Sequence, residues 1–305
     1  MNKPIFIMMV GLVGSGKSTY AKQLSDDINA IICNSDAIRE ELFGNENIQN
    51  KNEEVFRVLH KRIKNNLKNG KNTIYDATNI KSRRRMAFLS ELKNIPCIKK
   101  CIIMATPFHM CYKQNESRSR IVPYEVIDRM YKNWNTPYWF EGWDDIRIVF
   151  PQNYKIVDTV ENWIDKHMEF NQDNPHHVYT LGQHCKLVGE ELKDNSLLYY
   201  AGSLHDCGKP FVKSFVNSKG EITDIAHYYQ HHCTGSYDSL FFDYPQSVNR
   251  LDVSIIINLH MQPYFWEKDK EYGDKTKHKY QKLLGDKLYN NVMRLHKADA
   301  DKEMH

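Results

Sequence analysis

The sequence predicts two domains of different class: an α/β domain, with helices on both faces of a parallel sheet, and then an all-α helical domain. Three observations predict it. Up to about residue 150, short apolar runs alternate with helix-like segments. From about Val160 onward, apolar residues recur at helical spacing instead. Histidine is also unevenly spread: only His60 and His109 precede residue 150, and twelve of the 14 follow it. The expected domains span residues 1–155 and 165–305.

In the first domain, Pro4 to Val10 is an apolar run suited to a buried parallel strand, and Ser18 to Asp26 begins a helix. Ala30 to Cys33 reads as a second strand, Asn52 to Asn69 as a helix and Asn72 to Asp76 as a third strand. A helix over Arg83 to Lys93 and a strand over Ile98 to Ala105 follow. Strands alternating with helices point to a parallel sheet covered on both faces. In the second domain, Val178 to Leu192, Leu197 to Leu204, Val253 to His260 and Lys287 to His296 carry helical periodicity.

Composition excludes several classes. At 305 residues, with 41% hydrophobic and 26% charged residues, the chain has room for two globular cores. A net charge of +4 is only mildly basic and does not by itself call for a polyanionic partner. The seven cysteines (Cys33, Cys97, Cys101, Cys111, Cys185, Cys207, Cys233) include no pair at Cys-x-x-Cys spacing. An odd, scattered set reads as reduced thiols. The apolar run Ile5 to Val13 flows into glycines rather than a cleavage site, and no stretch approaches the roughly 18 apolar residues of a membrane span. A cytoplasmic protein without membrane contact is expected.

Gly11-Leu12-Val13-Gly14-Ser15-Gly16-Lys17-Ser18 fits G-x-x-x-x-G-K-[ST] at every position, after an apolar strand and at the start of a helix. Such a P-loop wraps phosphates in backbone N–H groups at a helix N-terminus. Gly14, Ser15, Gly16, Lys17, Ser18 and Thr19 are the expected ATP-binding residues. Lys17 would neutralise the β/γ-phosphates, and the Ser18 hydroxyl would hold Mg²⁺.

Three further segments bear on the acceptor. Asp36 and Arg39 in Asn34-Ser35-Asp36-Ala37-Ile38-Arg39 follow the second strand, where open α/β sheets bind ligands. There Asp36 can take a proton from an attacking hydroxyl and Arg39 can fork onto a phosphate. An N-capping Asp with a surface Arg is the open alternative. Asp76-Ala77-Thr78-Asn79 ends the third strand and leads to the basic run Arg83-Arg84-Arg85. Asn115-Glu116-Ser117-Arg118-Ser119-Arg120 offers arginines on an expected lid helix, suited to charge on a transferred phosphoryl.

The motifs GLVGSGKST, NSDAIR, DATNIKSRRRMAF, NESRSR and VPYEVIDRMYKNW stand in an order that resembles the T4-type 5′-hydroxyl polynucleotide kinase family over roughly residues 1–150. The resemblance implies that Asp36 is the general base and Arg39 holds an acceptor phosphate. It makes Arg118 the lid arginine, with Arg120 its rival. Thr78 and Asn79 match the family's Thr-Asn pair, and Arg83 joins them as a substrate-binding expectation.

The second half carries His205-Asp206 within Leu204-His205-Asp206-Cys207-Gly208-Lys209, with His184, His231, His260 and Asp299 on separate predicted helices. Imidazole and carboxylate ligands drawn from several helices make a mixed N/O site for one or two divalent ions. Such ions polarise phosphate and acidify bound water. Adjacent His231 and His232, with His227 a turn earlier, leave the third position open on spacing alone. His176 and His177 read as substrate-facing or surface residues, and His296 and His305 as surface ones.

This order of His, His-Asp, His, His and Asp resembles the HD phosphohydrolase superfamily over about residues 170–302. It implies a primary site of His184, His205, Asp206 and Asp299, with Asp206 catalytic. His231 and His260 would bind a second ion or the scissile phosphate, and Gly235 favours His231. The implied ion is a divalent transition metal: Mn, Co, Ni, Zn or Fe.

Together the two resemblances imply a bifunctional end-healing enzyme. A 5′-hydroxyl polynucleotide kinase would act beside a 2′,3′-phosphatase or cyclic phosphodiesterase on broken RNA ends, with DNA also open. Two rivals remain: a small-molecule nucleoside or nucleotide kinase with an HD nucleotidase, and an HD phosphohydrolase gated by ATP. Trp134, Tyr138, Trp139, Phe140 and Trp143 suit either base stacking or a core.

Overall fold

The computed structural model describes residues 3–48, 50–118, 120–156 and 158–303. Ser119, within the expected lid segment, and His305 lie outside the described residues. The chain divides into two compact units: Met1–Met130 with Pro137–Tyr154, and Tyr131–Thr136 with Lys155–His305.

The first unit runs β1 (Ile5–Val10), α1 (Lys17–Ile28), β2 (Ile31–Asn34), α2 (Ser35–Phe43), α3 (Asn52–Lys68), β3 (Thr73–Asp76), α4 (Ser82–Glu91), β4 (Ile98–Met104), α5 (Phe108–Glu116), α6 (Tyr124–Tyr131, its last residue in the second unit) and β5 (Asp145–Val149). The five strands form one sheet in the order β2-β3-β1-β4-β5, and every pairing is parallel. The expected strands and helices of this half appear where their periodicity placed them. Alternate residues of β1 serve opposite faces. Ile7 and Met9 pack with Ala21 of α1 and with Ile74, Ile102 and Met104. Phe6 turns the other way and meets Phe88 of α4, ring centroids 5.5 Å apart. Helix α3 buries Val55, Leu59, Ile63 and Leu67, one residue per turn, and leaves its remaining faces largely polar.

The run Arg83-Arg84-Arg85 is not a uniform basic patch. Arg83 and Arg84 are exposed on the first turn of α4. Arg85 is buried and grips Glu141 bidentately, Nε to Oε2 at 2.8 Å and Nη2 to Oε1 at 2.7 Å. Its Nη1 donates to Asn79 O at 2.9 Å. Glu141 also accepts from Ser82 Oγ at 2.7 Å and from Trp143 Nε1 at 2.9 Å. Tyr138 and Trp143 are buried, whereas Trp139 is exposed.

The second unit holds α7 (Val160–Lys166), α8 (Leu181–Glu191), α9 (Ser196–Leu204), α10 (Lys209–Val212), β6 (Ser214–Val216), β7 (Ile222–His227), α11 (His231–Asp238), α12 (Arg250–Leu259), α13 (Gln262–Lys268) and α14 (Gly273–Glu303). Helix α14 is two helical stretches broken at Gly285, where φ is +70°. Leu181, Cys185 and Val188 of α8 pack with Ala201 of α9, Val253 and Ile257 of α12 and Leu295 of α14.

The all-α expectation needs correction, because β6 and β7 form an antiparallel hairpin. Its turn is built by Asn217, whose Oδ1 accepts from Lys219 N and Glu221 N, and by Gly220 at φ +84°. Strand periodicity is hidden because Phe215, Val216, Ile222 and Ile225 are exposed and the register slips between Ser214 and Val216. Among the described residues no helix is long and apolar enough to cross a membrane.

Glu141→Ala would strand the buried Arg85 guanidinium. It is expected to destabilise the protein by about 3–5 kcal/mol, read as a lower midpoint in urea unfolding. An unchanged midpoint would show that the pair is not essential to this unit.

Candidate functional site

Two constellations carry chemistry, one in each unit. In the first, β1 delivers the chain into the loop Gly11–Gly16, and α1 leaves it at Lys17. Gly14 lies at φ +79° and Gly16 at +85°, left-handed backbone that suits glycine. A Cβ on Gly14 would stand 2.1 Å from the Cys111 carbonyl oxygen, so the loop can seat on α5 only with glycine there. Gly11 N donates to Thr78 O at 3.1 Å, and Thr106 Oγ1 donates to Ser15 O at 3.0 Å. The loop is thus held from β3 and β4, while Ser18 and Thr19 remain exposed.

Lys17 Nζ donates to Leu12 O at 2.6 Å and to Ser15 Oγ at 3.4 Å. Burial pushes its ammonium down to about 8, with Asp76 opposing that fall. Asp76 is a residue the sequence did not single out. It is buried at the end of β3, where Asn34 Nδ2 donates to its Oδ2 at 2.7 Å. Its signal was available: a carboxylate at the end of a parallel strand beside the glycine loop.

Asn34, not Asp36, caps α2, since its Oδ1 accepts from Asp36 N at 2.8 Å and Ala37 N at 2.9 Å. Arg39 is not on the surface either, at 3% exposure. The capping alternative therefore fails on both counts. Arg39 Nη1 meets Asp36 Oδ1 at 2.5 Å, and its Nη2 donates to Asn52 Oδ1 at 2.8 Å. Arg120 Nη1 reaches the same Asp36 oxygen at 3.0 Å.

The lid arginines do not ride a helix. Helix α5 ends at Glu116, and Arg118 and Arg120 follow it in a loop. Buried Asn115 closes that loop, donating Nδ2 to Val122 O at 2.8 Å and accepting from Val122 N at 3.0 Å. Arg118 is exposed and acts on Lys17 through its charge, whereas Arg120 pairs with Asp36. Asn79, at φ +49°, spends its amide on Met9 O at 2.9 Å, a bond that ties the end of β3 to β1. Arg83 is exposed at the start of α4.

In the second unit six expected residues converge. His184 comes from α8, His205 and Asp206 follow α9, His231 opens α11, His260 follows α12 and Asp299 lies on α14. Three rings are set by one local device. Nδ1 of His205 donates to Gly202 O at 2.7 Å, that of His231 to Tyr228 O at 2.8 Å, and that of His260 to Ile257 O at 2.7 Å. A carbonyl can only accept, so each Nδ1 carries a hydrogen, and a ring that is neutral then turns an Nε2 lone pair inward.

Those lone pairs meet one another and two carboxylates. His184 Nε2 lies 2.9 Å from Asp299 Oδ1 and 3.2 Å from His205 Nε2. His231 Nε2 lies 3.1 Å from His260 Nε2. Asp206 spans both groups: Oδ2 is 3.3 Å from His205 Nε2, and Oδ1 is 3.2 Å from His231 Nε2. Two triads, His184-His205-Asp206 and Asp206-His231-His260, can each hold a metal ion. The donor set fits, because His231 and His260, each with its hydrogen on Nδ1, turn Nε2 lone pairs toward one another at 3.1 Å, an arrangement suited to a cation between them. Burial lowers His260 to about 4 and His231 well below the usual imidazole range, so both are neutral at pH 7. Burial would lower His205 too, but Asp206 and Asp299 raise it well above that range.

The other histidines separate. His227 bonds Thr223 Oγ1 from β7, and His232 is half-buried without joining either triad. His176 is exposed, and His296 faces Glu267 at 3.2 Å. Lys209 went unassigned in the sequence, yet it is buried with Nζ 2.7 Å from Asp206 Oδ2. It donates to Gln172 Oε1 at 2.8 Å and lies 3.4 Å from His177 Nε2. Its place one turn after Asp206 was the signal. Gly208 allows the His-Asp turn to reach α11: a Cβ there would stand 2.2 Å from His231 O and 2.5 Å from Gly235 N.

Residues 6–137 match the family model described as an AAA domain. The L-seryl-tRNA(Sec) kinase of Methanococcus maripaludis is 30% identical over 146 residues, 46% of this chain. This chain covers 56% of that relative's length. Among solved structures, a chain of the Pnkp1/Rnl/Hen1 RNA repair complex matches at 22% identity with a TM-score of 0.37, over 43% of each chain. A gluconokinase from Sinorhizobium meliloti matches at 13% identity with a TM-score of 0.37, over 50% of this chain and 86% of that one. The N-terminal half is a P-loop kinase-type α/β domain.

With Lys17 at about 8, ATP binding is expected to weaken as pH rises through that value, because the free loop then loses the charge that faces the phosphates. Equilibrium titration of ATP across this range tests it. Affinity that stays flat would show that the Lys17 ammonium is not what holds the nucleotide.

Proposed function

We propose that this chain heals nucleic-acid ends, joining an ATP-dependent 5′-hydroxyl polynucleotide kinase to an HD-type, metal-dependent 2′,3′-phosphatase or cyclic phosphodiesterase. The observation that carries the kinase half is the Asp36 carboxylate at the strand ends beside the P-loop, met by Arg39 and Arg120 on one oxygen. In that role Asp36 accepts the proton of the attacking hydroxyl, whose oxygen bonds the γ-phosphorus as the bond to ADP breaks. Lys17 offsets charge on the phosphates, Ser18 would hold Mg²⁺, and Arg120 is suited to charge on the transferred group. Arg39, fixed by Asp36 and Asn52, is the candidate acceptor-phosphate contact, and Thr78, Asn79 and Arg83 are the further substrate-binding candidates. The name of the seryl-tRNA kinase relative supports an acceptor hydroxyl carried on RNA.

For the hydrolase half, His184, His205, Asp206 and Asp299 would hold one divalent transition ion, and Asp206, His231 and His260 a second. Ions so held supply polarisation of a phosphoryl oxygen and acidified water. Asp206 orients both half-sites because its two oxygens face different histidines, and Lys209 fixes that carboxylate. His177, beside Lys209, faces the same region.

The test is transfer of labelled γ-phosphate to an oligoribonucleotide with a 5′-hydroxyl and a 2′,3′-cyclic phosphate, in Mg²⁺ and Mn²⁺. Asp36→Ala should reduce 5′ labelling by about 10²–10⁴-fold, the usual weight of a general base, and leave 3′ processing intact. Asp206→Ala should do the reverse. Turnover of mononucleosides with neither oligonucleotide end altered would replace this reading with nucleotide metabolism. Activities untouched by Asp36→Ala would point to ATP gating instead.

A further inference from the structure

Residues Tyr131–Thr136 run from the last residue of helix α6 toward strand β5 of the first unit, yet they belong to the second. Their bonds there form a directed relay. Ser254 Oγ donates to the Ser236 carbonyl at 2.5 Å. The Ser254 hydrogen being committed, Thr136 Oγ1 is the donor across the 2.8 Å contact to Ser254 Oγ. Trp134 Nε1 in turn donates to Thr136 Oγ1 at 3.0 Å. The whole line, Trp134 to Thr136 to Ser254 to Ser236, is buried.

Asn258 adds a second tie, donating Nδ2 to Ser236 Oγ at 2.9 Å, to Trp134 O at 3.3 Å and to His232 O at 3.4 Å. The Trp134 ring stands edge-on to Tyr237, centroids 4.8 Å apart, and the Tyr131 hydroxyl bonds Asp238. Ser236, Tyr237 and Asp238 are on α11, while Ser254 and Asn258 are on α12. These are the two helices that present His231 and His260.

We propose that Trp134 and Thr136 are positioning residues for the Asp206-His231-His260 half-site, acting by locking α11 to α12. Resting on the metal reading above, the inference assigns the strap to one half-site only. The other half-site draws His184, His205 and Asp299 from α8, the end of α9 and α14, whereas the relay's bonds described above run to α11 and α12. Removing the relay hydroxyl leaves the Trp134 N–H without its acceptor, and the Ser254 oxygen without the hydrogen it accepts, inside a buried core, a cost the helix pair relieves by shifting.

The experiment titrates Mn²⁺ into the full chain and follows free ion by electron paramagnetic resonance. The wild type should bind two ions. Thr136→Val, isosteric but without the hydroxyl, should weaken one ion by about tenfold and leave the other unchanged. Thr136→Ser should restore both, and adding His184→Ala to Thr136→Val should leave no tight ion. Trp134→Phe, which keeps a ring and drops the N–H, should show the same selective loss and serves if Thr136→Val does not fold. Two ions of unchanged affinity in both strap variants would overturn the proposal, as would equal weakening of both ions. A wild type that binds no ion would overturn the metal reading itself, and this inference with it.

Discussion

The second unit is organised by one buried carboxylate. Asp206 lies among His184, His205, His231 and Lys209, out of contact with bulk water. A carboxylate so placed is costly to ionise unless positive or donor groups surround it. Burial would raise its pKa, but Lys209 and His205 hold it well below the usual carboxylate range. Elements α8, α9, α11, α12 and α14 each bring one end or face to that point. The apolar core formed by Leu181, Ala201, Val253 and Leu295 is what lets them do so. The hydrophobic packing sets the scaffold, and the carboxylate sets which helix termini must meet.

The first unit solves a related problem by different means. A parallel sheet gathers strand ends on one edge, and the order β2-β3-β1-β4-β5 places the glycine loop after the central strand. Asn34 then performs two tasks at once. It caps α2, which frees Asp36 from capping, and it bonds Asp76, which steadies the end of β3. The adjoining Arg85–Glu141 pair holds α4 and the segment Trp139–Glu141 together at a desolvated position. One of the three arginines of an apparent surface run is therefore anchored inside the unit.

Much of this was legible in residues alone. The glycine loop announces itself because phosphate binding needs fixed spacing within a single turn. Strands and helices of the first half follow their periodicity closely, since a sheet covered on both faces leaves uniform apolar runs. The hairpin Ser214–His227 was not legible, because its exposed apolar residues blur alternation. Nor was the end of α5 at Glu116, where Asn115 closes a loop by bonding Val122, a contact that propensity does not register. Asp76 and Lys209 were given no role, although the strand-end place of the one and the one-turn spacing of the other from Asp206 were visible in the sequence, because neither is part of a fixed motif.

Sequence by itself determined the P-loop, the parallel α/β class of the first half and the stock of imidazole and carboxylate groups in the second. Tertiary structure alone decided which of them meet. Asp299 reaches His184 across 115 positions in the chain, and His231 rather than His227 or His232 turns its Nε2 to Asp206. It also decided that Arg120 rather than Arg118 pairs with Asp36, and that Tyr131–Thr136 belongs to the second unit. The physical reason is one and the same. Local pattern fixes backbone shape over a few residues, whereas a buried polar group accepts only the partner that packing brings within about 3 Å.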